Sequence, residues 1–222
     1  CIAAWRIRIN TNCRKMGYFL RQQQSNVMKK QIGIFGGSFN PPHIGHLLLA
    51  EWLGEAANLD EVWWMPAATP PHKVLAGRVS GEIRLGMVEA VIMGNARFRS
   101  CDFEVRKGNI SYTVETLRAF EERYPEMQFS LIIGGDSLQQ FHTWRLYPEI
   151  LQRARLLVYN RVGTDFSEVH PEIMAHATLF PAPLIELSST AIRERIRQGL
   201  SIRYQVPEAV REIISSECLY QV

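Results

Sequence analysis

The sequence predicts an α/β fold, doubly wound around a mostly parallel sheet, and three observations carry that prediction. Short β-rich apolar runs alternate with helix-length segments from residue 31 onward, the pattern of strands joined by helical crossovers. The run FSLIIGG is apolar without alternation, as a strand covered on both faces must be. Four segments that follow strands, GGSFNPPHIGH, PAATPPHK, GGDS and ELSSTAIR, are rich in groups that bind anions or hydroxyls, and open sheets of this kind bind ligands beyond the carboxyl ends of their strands.

Taken in order, QIGIF reads as the first strand and IGHLLLAEWLGEAANL as a helix with Glu51 and Glu55 on its wet side. EVWWMPA is strand-like, and ATPPHKVLAGRVS is a loop marked by its prolines and glycine. Ser80 is placed to N-cap GEIRLGMVEAVIMG, with Ile83, Met87 and Ala90 as its apolar positions and Gly94 as its stop. FRSCDFEV reads as a strand, SYTVETLRAFEERY as an amphipathic helix stopped before Pro125, and FSLIIGG and ARLLVYN as further strands. PEIMAHA suggests a short helix. PLIELSSTAIRERIRQG reads as strand, Ser/Thr turn and helix, and VPEAVREIISSECLY as a last helix with Pro207 suited to its first turn. The expected architecture is Rossmann-like, with helices on both faces of the sheet and a helical C-terminal segment.

Composition narrows the functional classes. With 222 residues, 46% hydrophobic and 21% charged, the chain can bury a full core without metals or disulfides. Cys1, Cys13, Cys101 and Cys218 form no CxxC pair and no zinc-site spacing, which fits free thiols in a reducing cytoplasm. No apolar run approaches the ~20 residues needed to span a bilayer. The formal charge of +3 would suit a nucleic-acid partner, but residues 1–27 hold Arg6, Arg8, Arg14, Lys15 and Arg21 and no acid, so the remainder carries −2. Residues 1–27 are therefore read as a non-native or disordered leader, with Met28 opening a single domain over 28–222. A mitochondrial presequence is the rival reading, weakened because the leader has only one serine, Ser25.

The first turn holds the most specific chemistry. Gly36 and Gly37 let a ligand approach the backbone with no Cβ in the way, and the helix that follows offers N–H donors and a partial positive charge. His43 and His46 lie about one turn apart, so both rings can face one side. Two imidazoles at a helix N-terminus suit a polyanion. The GxGxxG and GxxxxGK[ST] loops are absent.

GGSFNPPHIGH resembles the HxGH signature of the nucleotidylyltransferase superfamily, and LSSTAIR resembles its second signature, usually ISSTxIR. Within that group TPPHK, SYTVETL, GGDS and HTW resemble the bacterial nicotinate-nucleotide adenylyltransferases, from about Met28 to the C-terminus. The resemblance implies a nucleotidyltransferase of NAD biosynthesis that joins ATP to nicotinate mononucleotide, giving deamido-NAD and pyrophosphate. It implies that His43, His46 and Arg193 are catalytic and contact the ATP phosphates, together with Gly36, Gly37, Ser38, Ser188 and Ser189, and that Asp136 meets a ribose. On the mononucleotide side it implies His72 and Lys73 for the phosphate, Trp144 as a stacking surface for the pyridine ring, and Thr113 and the backbone near Arg145 for the carboxylate. Mg²⁺ is expected on the phosphates and water rather than in a protein cage. ATP and nicotinate mononucleotide are the expected partners, with no nucleic acid and no membrane; the oligomeric state is not legible. Three departures stand out: Leu187 before the serines, Val162 where relatives often carry proline, and Asn40 where aspartate is common. Rival readings are another enzyme of the superfamily, such as a phosphopantetheine adenylyltransferase or a cytidylyltransferase, and a catalytically silent nucleotide-binding protein.

The chemistry expected of the reaction can be set against the residues. A phosphate monoester is already anionic at pH 7 and pyrophosphate leaves as a metal-bound anion, so alignment and charge neutralisation matter more than a nucleophile–base dyad. Cations, N–H donors and hydroxyls are what the turns supply.

Overall fold

The computed structural model describes residues 29–68, 79–108, 110–160, 164–182 and 185–221; the leader, Met28, His72, Lys73 and Val162 lie outside them. Six strands form one sheet: β1 (Lys30–Gly37), β2 (Glu61–Pro66), β3 (Phe98–Ser100), β4 (Met127–Gly134), β5 (Arg155–Asn160) and β6 (Ala177–Pro181). Their order is β3-β2-β1-β4-β5-β6 and every pairing is parallel. The helices are α1 (Ile44–Ala56), α2 (Gly81–Ile92), α3 (Phe103–Lys107), α4 (Thr113–Arg123), α5 (Gly135–Gln139), α6 (Tyr147–Arg153), α7 (Pro171–Ala175), α8 (Ser189–Arg197) and α9 (Glu208–Ser216), with a 3₁₀ turn at Phe141–Thr143. Among the described residues no helix is long and apolar enough to cross a membrane.

Successive residues of a strand point to opposite faces, and the core divides accordingly. Ile32, Ile34, Trp63, Met65, Phe129, Leu131, Ile133, Leu156 and Val158 pack on one face under α4 to α7. Phe35, Val62, Trp64, Ile132 and Leu157 pack on the other under α1 and α2. A third cluster joins Met87 of α2 to Ile192 of α8 and to Val210, Ile214, Leu219 and Tyr220 of the C-terminal segment. Buried Glu61 at the amino end of β2 keeps its charge through Lys30 Nζ at 2.6 Å, Arg99 Nε at 2.7 Å and the Trp63 indole N–H at 2.8 Å.

Four local expectations are corrected. The FRSCDFEV strand stops at Ser100; α3 follows, tied by an Arg106–Asp102 ion pair one turn apart and closed by Gly108 at φ 69. The strand expected in PLIEL lies earlier, at Ala177–Pro181, where it extends β5 in parallel register, and 185–187 is not strand. Pro207 is the N-cap of α9, not its first helical residue. The buried stripe of α2 is Arg84, Met87, Val88 and Ile92, leaving Ile83 and Ala90 half-buried. Ser80 does cap α2, its Oγ accepting from Ile83 N at 3.2 Å.

The chain winds outward in both directions from the β1–β4 pair. The last paired residues there are Phe35 and Ile132. Beyond them the turn after β1 leads towards β2 and the turn after β4 leads towards β5, opening the crevice in which such sheets bind ligands.

Candidate active site

The turn after β1 is shaped by its aromatic residue. Phe39 sits at φ 44, in the left-handed region, and its ring is 1% exposed, edge-on to Phe35 at 5.5 Å and to His46 at 5.2 Å. Such a conformation costs on the order of 1–3 kcal/mol for a non-glycine residue and persists because the ring is locked in the core. Gly37 serves that packing: a Cβ there would stand 3.0 Å from the Phe39 ring. At Gly36 a Cβ would meet nothing within 4 Å, so this backbone faces open space at the carboxyl end of β1. The Asn40–Pro41 peptide is cis.

His43 N-caps α1 in extended conformation and is 6% exposed. Its backbone N–H donates to His46 Nδ1 at 3.1 Å, and the two imidazoles stack with centroids 3.6 Å apart. This contact fixes the chemistry of His46. Its Nδ1 accepts, so its proton sits on Nε2 and the ring is a neutral donor. Burial together with neighbouring His43 holds His46 well below the usual histidine range, and burial lowers His43 to about 4. At neutral pH both imidazoles are therefore neutral, and what they can offer a ligand is N–H donors and not positive charge.

The helix N-terminus is less open than the sequence suggests. Ile44 N–H donates to Gln205 O at 3.0 Å, while His46 and Leu47 N–H both turn back to His43 O. Among the described residues this leaves the Gly45 N–H without a hydrogen-bond partner. Gly45 also makes room for its neighbour, since a Cβ there would lie 3.1 Å from His43 Nδ1. The sequence reading gave Gly45 no role, although it stands between the two histidines.

The SSTAIR segment reaches the same place. Ser188 N-caps α8, its Oγ accepting from Ala191 N at 3.2 Å, and Ser189 Oγ donates to Pro41 O at 2.8 Å. Both hydroxyls thus build the site rather than stand free in it. Arg193, one turn into α8, donates from Nη1 to Asn40 O at 2.8 Å and from Nη2 to Thr190 Oγ1 at 3.2 Å. Its Nε is buried without a partner, and among the described residues it has no ion pair. It is the cation that the two neutral histidines do not supply.

Sequence reasoning also missed Arg84. It is 0% exposed and donates to Ser38 O at 2.8 Å and Ala68 O at 3.0 Å, joining the turns after β1 and β2 from beneath. The signal was a charged residue inside the 84/87/88/92 stripe of an otherwise apolar helix face.

Asp136 lies exposed in the first turn of α5, after Gly134 and Gly135 at the end of β4. A Cβ at Gly134 would stand 2.5 Å from Asp136 Oδ1, so glycine there is what lets the carboxylate fold back over the strand end. Thr113 opens α4, and Trp144 closes the 3₁₀ turn, half-buried against Phe141 with centroids 4.9 Å apart. Arg145 links these two: its guanidinium lies 4.5 Å from the Tyr112 ring centre, and Nη1 is 3.6 Å from Glu115 Oε1. Thr113, Trp144 and Arg145 therefore form one neighbourhood. Among the described residues no group of three His, Cys, Asp or Glu side chains could hold a metal.

A glycine-rich strand end, a stacked imidazole pair and an unpaired arginine at a topological switch point define a nucleotide-handling α/β protein. The family model described as cytidylyltransferase-like matches residues 34–195, and the chain belongs to that family. It is 46% identical over 190 residues to a Salinibacter ruber protein named "Probable nicotinate-nucleotide adenylyltransferase", covering 86% of this chain and 97% of the relative. A Shouchella clausii protein of the same name is 42% identical over 192 residues, with the same coverage. Within the family the chain thus falls among the bacterial nicotinate-nucleotide adenylyltransferases. Its fold matches that of Plasmodium falciparum nicotinic acid mononucleotide adenylyltransferase complexed with NaAD, with TM-score 0.72, 18% identity, and coverage of 86% of this chain and 97% of that one.

Proposed function

We propose that the protein transfers the adenylyl group of ATP to nicotinate mononucleotide, releasing pyrophosphate and forming deamido-NAD. The observation that carries this reading is the convergence of His43, His46 and Arg193: Arg193 Nη1 bonds the Asn40 carbonyl across 153 residues of chain, beside the stacked imidazoles. Relatives 46% and 42% identical that bear the adenylyltransferase name favour it over a phosphopantetheine or cytidylyl transfer.

In this reading the mononucleotide phosphate oxygen attacks the α-phosphorus in line. The bond from Pα to the bridging oxygen breaks, its electron pair leaves with pyrophosphate, and no covalent enzyme intermediate forms. His46 donates from Nε2, Gly45 from its backbone, and Arg193 grips the leaving phosphates as a bidentate cation. His43 packs against His46 and sets its plane. Gly36, Gly37 and Ser38 line the phosphates, Ser188 and Ser189 hold α8 in place, and Asp136 accepts from a ribose hydroxyl. The donor set here is imidazole, amide and guanidinium, which suits phosphate oxygens and not a metal cage. Mg²⁺ fits as an ion carried by the phosphates and water, where it supplies charge neutralisation. His72 and Lys73 are assigned to the mononucleotide phosphate, Trp144 to the pyridine ring, and the N-terminus of α4 at Thr113, with the backbone near Arg145, to the carboxylate. A cytoplasmic location completes the reading, in keeping with the free Cys101 and Cys218 thiols.

The test is pyrophosphate release with ATP and Mg²⁺, comparing nicotinate mononucleotide, nicotinamide mononucleotide and phosphopantetheine. Release with the nicotinate form far above the others is expected. Release with phosphopantetheine alone would keep the phosphate site and overturn every acceptor-side assignment; release with none would leave a silent nucleotide-binding protein.

A further inference from the structure

The C-terminal segment meets the turn after β1 in a way the reaction as described does not use. After α9 the chain passes through Cys218 at φ 48 and Tyr220 at φ 65, two left-handed residues that are not glycine. Together they fold Leu219 and Tyr220 back into the protein, where these are 9% and 5% exposed. Backbone strain of this kind persists only where the surroundings impose it. Here the Tyr220 hydroxyl donates to Asn40 Oδ1 in a buried bond of 2.6 Å, across 180 residues of chain.

Asn40 is also the residue whose carbonyl receives Arg193. The carbonyl of its neighbour Pro41 accepts from Ser189 Oγ, and the Ile44 N–H donates to the Gln205 carbonyl. The turn that carries His43 and His46 is thus held from the C-terminal side at several points, and Tyr220 reaches a side chain within it. Burial raises the phenol's pKa, so it stays a neutral donor at any pH at which the enzyme works. Asparagine at position 40 accepts that bond without adding a charge beside Arg193.

We infer that Tyr220 is a positioning residue for ATP: through Asn40 it fixes the turn on which Arg193 rests, and so sets the guanidinium for the leaving phosphates. The inference rests on the adenylyl-transfer reading. The molecule ends its fold, in effect, by latching the loop with which it begins.

Tyr220→Phe keeps the ring in its apolar cluster and removes only the hydroxyl. Its expected effect is a five- to tenfold loss in kcat/KM for ATP, the size of one buried hydrogen bond (~1 kcal/mol). The KM for nicotinate mononucleotide should stay close to wild type, and the melting temperature should fall by no more than about 2–4 °C, the shift that ~1 kcal/mol gives. Asn40→Ala should lose at least as much, and adding Tyr220→Phe to it should cost no more, because the Tyr220–Asn40 bond is then already gone. Wild-type ATP kinetics in Tyr220→Phe would overturn the inference. So would equal losses for both substrates, or a double variant clearly worse than Asn40→Ala. A wild-type enzyme that releases no pyrophosphate would instead overturn the reaction itself, so the two failures are told apart.

Discussion

The two sides of the crevice are built differently. On the phosphate side His43 is buried, His46 is locked by its Nδ1 contact, and Asn40, Pro41 and Ser38 are each held by a side chain from a distant element. On the side proposed for the mononucleotide the described groups, Thr113, Trp144 and Arg145, are half-buried or exposed. Trp144 leans on Phe141, and Arg145, 55% exposed in its side chain, rests on Tyr112 and reaches Glu115 only at 3.6 Å. The difference follows what each side must do. Stabilising charge that develops in a transition state requires donors fixed in advance. Receiving a flat ring and a carboxylate needs surfaces that can close on them. The lesson is that burial and cross-chain hydrogen bonding are concentrated where the proposed chemistry needs fixed donors.

The largest expected effect strikes the rigid side. His46→Ala should lower turnover by at least ~10², the size of losing one electrostatic donor at a transition state, while circular dichroism shows the fold retained; a near-wild-type rate removes His46 from the mechanism. Arg193→Ala should follow, raising the KM for ATP more than that for the mononucleotide, since it removes the guanidinium that rests on the Asn40 carbonyl, while Arg84 stays fully buried against Ser38 O. Steady-state kinetics with the opposite pattern would place Arg193 on the wrong side of the crevice. Trp144→Ala should be smaller and reversed in sense, raising the mononucleotide KM above the ATP KM; equal changes would make Trp144 scaffold.

The last effect is read on stability rather than on turnover, and contrasts the site with the buried carboxyl near the sheet edge. His43 has its pKa depressed to about 4 by burial. Its stabilising contribution is therefore present above the unfolded value of 6.5 and is lost as pH falls towards 4, by up to about 3 kcal/mol. Glu104, 8% exposed and bonded by Thr116, has its pKa raised by burial to about 7. Its contribution has the opposite sign, being full below 4.5 and lost as pH rises through 7. Between pH 4.5 and 6.5 the two oppose each other. Glu104→Gln should therefore steepen the acid-side fall in denaturation midpoint; an unchanged slope would mean that one of the two groups is not titrating as described.

Much of the fold was legible because it repeats one local rule. Apolar runs followed by helix-length segments located β1, β2, β4 and β5 and the helices between them, and the Ser80 cap marked the start of α2 to the residue. The misreadings lie where local signal and tertiary role part. β6 is a half-exposed edge strand with weak patterning, whereas residues 185–187 are not strand and lead into Ser188 and Ser189, whose hydroxyls cap α8 and reach the Pro41 carbonyl of the turn after β1. Phe103 has strand character but anchors the short α3 against Phe120, with ring centroids 5.1 Å apart. At the site, His43, His46 and Arg193 could be named from spacing and resemblance. Tyr220 could not, because what it does depends on a contact across 180 residues of chain, and Arg84 showed only as a charge within an apolar helix stripe, without the two carbonyls it joins. Nor could the charge state of the histidines be read, since burial and one backbone N–H decide it.

The most direct test of a prebuilt phosphate site facing an adaptable acceptor site is a crystal structure with Mg²⁺ and a non-hydrolysable ATP analogue, then with the mononucleotide added. The phosphates should lie within about 3 Å of His46 Nε2, the Gly45 N–H and the Arg193 guanidinium. The turn over residues 38–46 should stay in place, while Trp144 and Arg145 move only when the mononucleotide binds. Phosphates bound elsewhere, or a 38–46 turn that rearranges to receive them, would contradict the account.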